Sequence, residues 1–307
     1  MTVRAAAGMS TFLHQHQPAT VRAFQAGPPG PRSVKAFSTA RRSAADRLPG
    51  VGKRAFLGLL GGATMWLSAR GLGAAAAAQT AEQVLQEAKW PDKFPFGPDA
   101  FERYDESTDT IFYDQPRFVT HIDDGAIKAL TKFYGENFPP SGGKDVALLD
   151  ICSSWISHYP EGYTAGRIAG LGMNVAELKR NKVLTEFDTR DLNKDPRLPY
   201  EDDSFDVVTN AVSVDYLTKP LEVFREVHRV LKPGGLAIMS FSNRCFPTKA
   251  ISIWTRTGDL DHVLIVGSYF HYTGGFTKPE ARDITPAPGF FGGRGDPMYV
   301  VYARKQA

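Results

Sequence analysis

Four short polar clusters hold the residues best suited to chemistry, and each directly follows an apolar run: "DICSSW" (150–155), "GLGMN" (170–174), "TRDLN" (189–193) and "NAVSVDYL" (210–217). Asp150 and Asp191 bring carboxylates that accept hydrogen bonds, and Ser153 and Ser154 bring short hydroxyl donors. Asn174 has a side-chain carbonyl able to accept from a ligand, and it reads equally well as the N-cap of "VAELKR". Glu177 follows one turn later. Upstream, "FYDQPRFVTHID" (112–123) carries Tyr113, Arg117 and His121. The His121 imidazole titrates near neutral pH and suits a general base. Asp215 and Tyr216 are the other candidates for acid–base work, although no catalytic residue is fixed by these observations. Metal and disulfide chemistry have no such support. The two cysteines, Cys152 and Cys245, form no CxxC pair, and no HxxxH or HExxH spacing places two histidines on one helical face.

The elements that must position these clusters begin near residue 146. Apolar runs Val146 to Ile151, Arg167 to Leu171, Val183 to Phe187, Phe205 to Ala211 and Gly235 to Phe241 read as strands. Helical patterns at Val175 to Arg180 and Leu221 to Leu231 lie between them. Runs this continuous are buried on both faces, which predicts a parallel sheet with helices on each side. Ligands of such sheets sit beyond the carboxyl ends of the strands, where the four clusters fall. "FPTKAISIWTRT" and "LDHVLIVGSYFHY" predict further helices. Strands at Ala281 to Thr285 and Pro297 to Arg304 predict an antiparallel hairpin at the sheet edge. Before the sheet, "IDDGAIKALTKFYGENF" predicts a helix capped by Asp123 or Asp124.

With "LPYEDDSFDVVTNAV" (198–212) and "VFREVHRVLKPGG" (223–235), residues 125 to 305 resemble a class I S-adenosylmethionine-dependent methyltransferase of the methyltransferase type 11 kind. The resemblance implies an α/β, Rossmann-like, doubly wound, mostly parallel seven-stranded sheet with a reversed terminal strand. It also implies S-adenosyl-L-methionine as cofactor and a methyl acceptor, small molecule or protein, that the sequence does not identify. It assigns cofactor contacts to Asp150, Cys152, Ser153, Ser154, Gly172, Asn174, Asp191, Leu192, Asn210 and Ala211. Asp191 would accept from the adenine amino group while Leu192 packs on the ring. Two departures stand out. Cys152, Ser154 and Ile156 occupy places where the family has glycines, and Gly172 stands where an acid usually holds the ribose. Pro160 and Gly162 also oppose the helix that normally follows the first strand. In "LKPGG", Gly234 and Gly235 are both expected at positive φ, and Asp206 is expected to serve the turn before its strand rather than a ligand.

Composition sets the remaining bounds. Of 307 residues, 42% are hydrophobic and 22% charged, ordinary for a globular chain. Residues 1 to 80 hold ten Lys/Arg and one acid (+9), leaving 26 basic and 32 acidic residues (−6). The acidic body offers no footprint for nucleic acid. The basic leader reads as a presequence: a transit-like segment over 1 to 54, then "GKRAFLGLLGGATMWLSARGLGAAAAAQTAE" with the layout of an export signal. The tandem resembles the bipartite presequences of plant and algal thylakoid-lumen proteins, which implies a chloroplast location, in the lumen or at the thylakoid, and no permanent membrane anchor in the mature form. The expected division is therefore a presequence (1–80), an N-terminal arm or lid (81–124) and a methyltransferase-like domain (125–307). The altered glycine places leave a second reading open, a methyltransferase fold retained as a non-catalytic binding or assembly factor. A nicotinamide-dependent oxidoreductase is disfavoured because no GxGxxG follows the first strand.

Overall fold

The computed structural model describes residues 79–287 and 295–307; the leader through residue 78 lies outside the described residues. Seven strands form one sheet among the described residues: β1 Gly143–Ser153, β2 Ala165–Gly172, β3 Glu186–Thr189, β4 Phe205–Ala211, β5 Leu231–Phe241, β6 Glu280–Asp283 and β7 Tyr299–Arg304. Their order is β3-β2-β1-β4-β5-β7-β6. The first five pair in parallel. β7 runs antiparallel to both β5 and β6. This is the expected doubly wound, Rossmann-like, mostly parallel sheet with its last strand reversed, β7 lying inside the terminal pair and β6 at the edge.

Alternation along the central strands explains their unbroken apolar runs. Leu149, Ile151, Val208, Ala237 and Met239 face one core; Leu148, Val207, Leu236 and Ile238 face the other, because successive side chains leave a strand on opposite faces. The first core is closed by α5 Pro220–Val230, through Val223, Phe224 and Val227, by α6 Ser252–Arg256, through Trp254, and by α7 Asp259–Thr273, through Val266, Tyr269 and Phe270. The second is closed by α3 Asp124–Asn137, through Ala126, Leu130, Phe133 and Tyr134. Asp123 caps α3, its carboxylate accepting from the Ala126 amide.

No helix follows β1. Residues 154 to 164 cross to β2 as a loop, with Pro160 lacking an amide and Gly162 at φ 72°. Tyr159 and Tyr163 cover the sheet instead, packing edge-on against Phe138 at 5.0 and 5.4 Å between ring centroids. The third strand starts at Glu186 rather than Val183, because Leu184 is drawn under the sheet, where its Cδ1 lies 2.4 Å from where a Cβ on Gly170 would stand. The "LKPGG" turn is also corrected. Gly234 has φ 79°, whereas Gly235 does not adopt positive φ. Gly235 is required by crowding, since a Cβ there would lie 2.8 Å from the Lys232 carbonyl oxygen. Asp206 accepts from the Ala147 amide at 2.8 Å and the Lys232 ammonium at 2.7 Å, tying together the starts of β1, β4 and β5.

The arm is bound to the body along its length. α1 Ala81–Gln86 starts from a capping box between Thr80 and Gln83, and its Leu85 fits over Gly267 of α7. Further on, α2 Asp109–Phe112 is held by a buried ionic cluster. The Lys249 ammonium, fully buried, donates to the Ser107 carbonyl at 2.6 Å and pairs with Asp109 at 3.2 Å and Asp105 at 3.3 Å. Arg103 donates to both Asp109 oxygens at 2.8 Å. Asn193 donates to Asp109 and to the Tyr216 carbonyl, both at 2.9 Å. Breaking a buried pair by removing one partner costs about 3–5 kcal/mol. Lys249→Met is therefore expected to lose about 3 kcal/mol in urea unfolding and to open the segment around residue 105 to proteolysis; unchanged stability would show that the cluster does not hold the arm.

Candidate active site

A cavity of about 340 Å³ opens at the carboxyl ends of β1, β2, β3 and β4, within the range of small-molecule sites. The arm closes it from above with Tyr113, Arg117 and His121, and Phe246 closes it from the side. Of the residues expected there, Asp150, Cys152, Ser153, Ser154, Gly172, Asn174, Asp191, Leu192, Ala211, His121 and Tyr216 line it. Asn210 and Asp215 do not. Asn210 is buried beneath, its amide donating to the Ile151 carbonyl at 3.3 Å. Asp215 is 2% exposed and outside the cavity lining.

The floor is built on Asp150. Its carboxylate accepts from Ser153 at 2.6 Å, Ser157 at 2.7 Å and Thr209 at 3.0 Å. Burial pushes its pKa up to about 6, and the three hydroxyls restrain the rise. Ser153 thus spends its proton inside the protein. Ser154 does likewise, donating to Glu177 at 2.7 Å. Neither is the free donor that the sequence suggested.

Cys152, at the first glycine place, has φ 55°. The backbone follows the left-handed route that glycine would take, and the thiol is added to the cavity wall. Burial and the Asp150 charge push that thiol up to about 12, so it stays protonated. Three other non-glycine residues at positive φ, His121, His158 and Val212, also line the cavity, and one, Asp203, lies elsewhere. Each such residue costs about 1–2 kcal/mol, and their concentration here marks a site whose surroundings overdetermine the backbone.

Gly172 has a steric cause. A Cβ at this position would lie 2.1 Å from the Ser153 carbonyl oxygen, so no acid fits at the end of β2. Asn174 is saturated. Its carbonyl accepts from the Ala176 and Glu177 amides, capping α4 Val175–Leu178, and its amide donates to the Tyr113 and Asp114 carbonyls. The capping reading is the one the geometry supports. Glu177, 8% exposed, accepts the Arg117 amide at 2.6 Å besides Ser154, and so ties the arm to the β1 loop. At the β3 exit, Asp191 uses Oδ1 for the Asn193 and Lys194 amides. Its Oδ2 accepts no hydrogen bond from the described residues.

The Tyr216 hydroxyl accepts from the Phe246 amide at 2.8 Å, and burial beside Asp215 keeps the phenol protonated. The pKa of His121 is lowered, desolvation outweighing the nearby Glu177 charge. Trp155 leaves the cavity open: its indole donates to the Val119 carbonyl at 2.8 Å and its ring meets Phe118. Sequence reasoning missed His158, which lies where a helix was the usual expectation, and Phe246, which carries no motif.

This geometry coincides with a family match. Residues 155–239 match the methyltransferase domain model. This segment is therefore similar to a methyltransferase domain. It is 46% identical over 83 residues to a ubiquinone/menaquinone biosynthesis C-methyltransferase of Ruegeria sp., covering 24% of this chain and 32% of that protein. It is 31% identical over 102 residues to a demethylmenaquinone methyltransferase of Staphylococcus epidermidis, covering 31% and 42%. A solved S-adenosylmethionine-dependent methyltransferase from Mesorhizobium loti superposes with a TM-score of 0.40 at 17% identity, covering 58% of this chain and 98% of that one. The chain spans less than half the length of the curated relatives it matches.

Two outcomes follow for the residues around the cavity. At Cys152 the backbone decides: Cys152→Gly is expected to keep stability within about 1 kcal/mol, while Cys152→Val, β-branched at positive φ, loses about 2 kcal/mol or more. Thermal unfolding of the two variants checks this, and the reverse order would remove the strain argument. At Asp215, burial pushes the pKa up to about 8, so the folded state holds a proton that the unfolded chain releases near pH 3.9. That contribution is complete below pH 4 and is lost as pH rises to 8. Asp150 acts in the same direction only up to about pH 6. His158, whose pKa falls to about 4, acts oppositely below about 6.5. Stability is thus expected to fall from pH 6.5 to 8 in the native protein and to stay level in Asp215→Asn, read by urea unfolding across that window.

Proposed function

We propose that the protein transfers a methyl group from S-adenosylmethionine to an O, N or C nucleophile of an acceptor. The observation carrying this reading is that the exits of β1, β2, β3 and β4 meet around one cavity in a segment that matches the methyltransferase domain. The cavity fits the donor. Cys152 keeps the glycine-like backbone, Trp155 is turned away, and the open Oδ2 of Asp191 suits an exocyclic amine, with Leu192 available to the ring. Glu177 takes the place of the missing ribose acid, since each of its oxygens has a lone pair beyond the bond it already accepts. When bound, the donor supplies a sulfonium methyl that is already activated. The protein's part is then to hold acceptor and donor in line, an effect that contributes about 7–11 kcal/mol, and to exclude water with the arm.

The spent hydroxyls of Ser153 and Ser154 and the thiol in the cradle favour a second reading, a binding or assembly factor that has lost transfer. Calorimetry of the full chain with S-adenosylhomocysteine separates them. Binding is expected, and Asp191→Ala should weaken it about 10- to 100-fold, as for a hydrogen bond to a charged group. Asp191→Asn keeps Oδ1 for the turn and controls for folding. A folded protein with no affinity would end the enzymatic reading.

The location is likewise proposed as chloroplast, in the thylakoid lumen or at the thylakoid, supported by the tandem signals of residues 1 to 80. N-terminal sequencing of the native protein should find a start near Ala78 to Glu82; a start before Lys53 would reject lumenal processing.

A further inference from the structure

His158 sits at the middle of the loop that replaces the helix after β1, 6% exposed and lining the cavity. Its Nδ1 is buried without a hydrogen-bond partner, and no described residue bonds to Nε2. Its neighbours, by contrast, are locked. Ser157 donates to Asp150 and accepts from Asn181 at 2.8 Å. The Tyr159 hydroxyl is 2.8 Å from Thr209 Oγ1. The His158 carbonyl itself accepts from Thr131 at 2.9 Å. The left-handed backbone at φ 56° is therefore imposed from both sides and from α3, and it holds the ring at the cavity wall.

A buried polar nitrogen left unpaired is destabilising, and here it occurs in a residue already in an unfavourable backbone conformation. The bonds of its neighbours hold the backbone, and with Nδ1 sealed from the cavity Nε2 is the nitrogen left to meet a ligand there. Burial keeps the ring neutral near pH 7, so with the N–H on the sealed Nδ1 the lone pair is on Nε2. The surrounding walls are aromatic: Tyr113, Tyr216, Phe246 and His121 line the same cavity, with His121 and Phe246 rings 5.6 Å apart.

We propose that His158 is the base for a hydroxylated aromatic methyl acceptor, accepting the hydroxyl proton as the hydroxyl oxygen takes the methyl group. The inference rests on the methyl-transfer reading above. The acceptor oxygen forms a bond to the methyl carbon with its own electron pair. The carbon–sulfur bond breaks with its pair going to sulfur, neutralising the sulfonium, and the O–H proton passes to an imidazole nitrogen. A weakly basic imidazole suffices, because the hydroxyl becomes strongly acidic as its oxygen gains a third bond.

The test uses the full chain, with 4-fluorophenol and 4-fluoroanisole as probes that differ in the hydroxyl proton, followed by fluorine NMR and by the 15N shifts of the His158 ring. The native protein is expected to bind the phenol about tenfold more tightly than the anisole, the contribution of one buried hydrogen bond, with the ring nitrogens moving only for the phenol. His158→Gly tolerates the left-handed backbone and should remain folded. It should lose the preference, regain it with added imidazole, and keep its affinity for S-adenosylhomocysteine. A native protein without the preference, or a folded His158→Gly that retains it, would overturn the proposal. Absence of S-adenosylhomocysteine binding would instead reject the donor reading, leaving the phenol comparison to be judged separately.

Discussion

The buried carboxylate of Asp150 is the constraint on which the site depends. It lies near the end of β1 in the sheet interior, and its three hydroxyl partners come from the last residue of β1, the loop after it and β4. Without a helix after β1, these bonds do the work of regular structure: they fix the chain from Ser153 to Ser157 and so determine where Cys152 and His158 stand. A carboxylate taken out of water is tolerable only when hydrogen-bonded. The same bonds that satisfy Asp150 therefore define the cavity floor, and the serines at 153 and 157 are better understood as its partners than as ligand contacts.

A second set of constraints closes the cavity from the arm. Glu177 accepts from the Arg117 amide and from Ser154, while Asn174 donates to the carbonyls of Tyr113 and Asp114. On the other side, Asn193 joins the β3 exit to Asp109 and to the Tyr216 carbonyl. The β2 and β3 exits are thus linked to the arm by polar side chains that also order their own loops. The lid is integral to the fold rather than an appended flap, and anything entering the cavity must pass between these links or displace one of them.

The sheet was legible in the sequence because burial on both faces writes itself as continuous apolar runs; β4, Phe205–Ala211, falls where the run predicts. The edge was less legible. In β3 all four residues are exposed, so the apolar signal of Val183 and Leu184 pointed to the packing residues beside the strand. Within the site, the four exits were identifiable from their position after the strands, but the use made of each side chain was not. Whether Asn174 caps a helix or meets a ligand depends on where the arm's carbonyls lie, and Gly172 is explained only by the nearness of the Ser153 oxygen. His158 carried no signal because its role comes from the failure of a helix, and a missing element has no periodicity of its own.

The departures from the glycine pattern then read as one change. Glycines in a cradle allow positive φ and leave room for a ligand. At Cys152 the first property survives, through bonds that force the backbone, while the second is given up in part to a thiol. The loop that follows β1 in place of a helix brings His158 to the cavity wall. On this argument the unusual loop reshapes what the fold can hold and leaves the sheet that holds it unchanged.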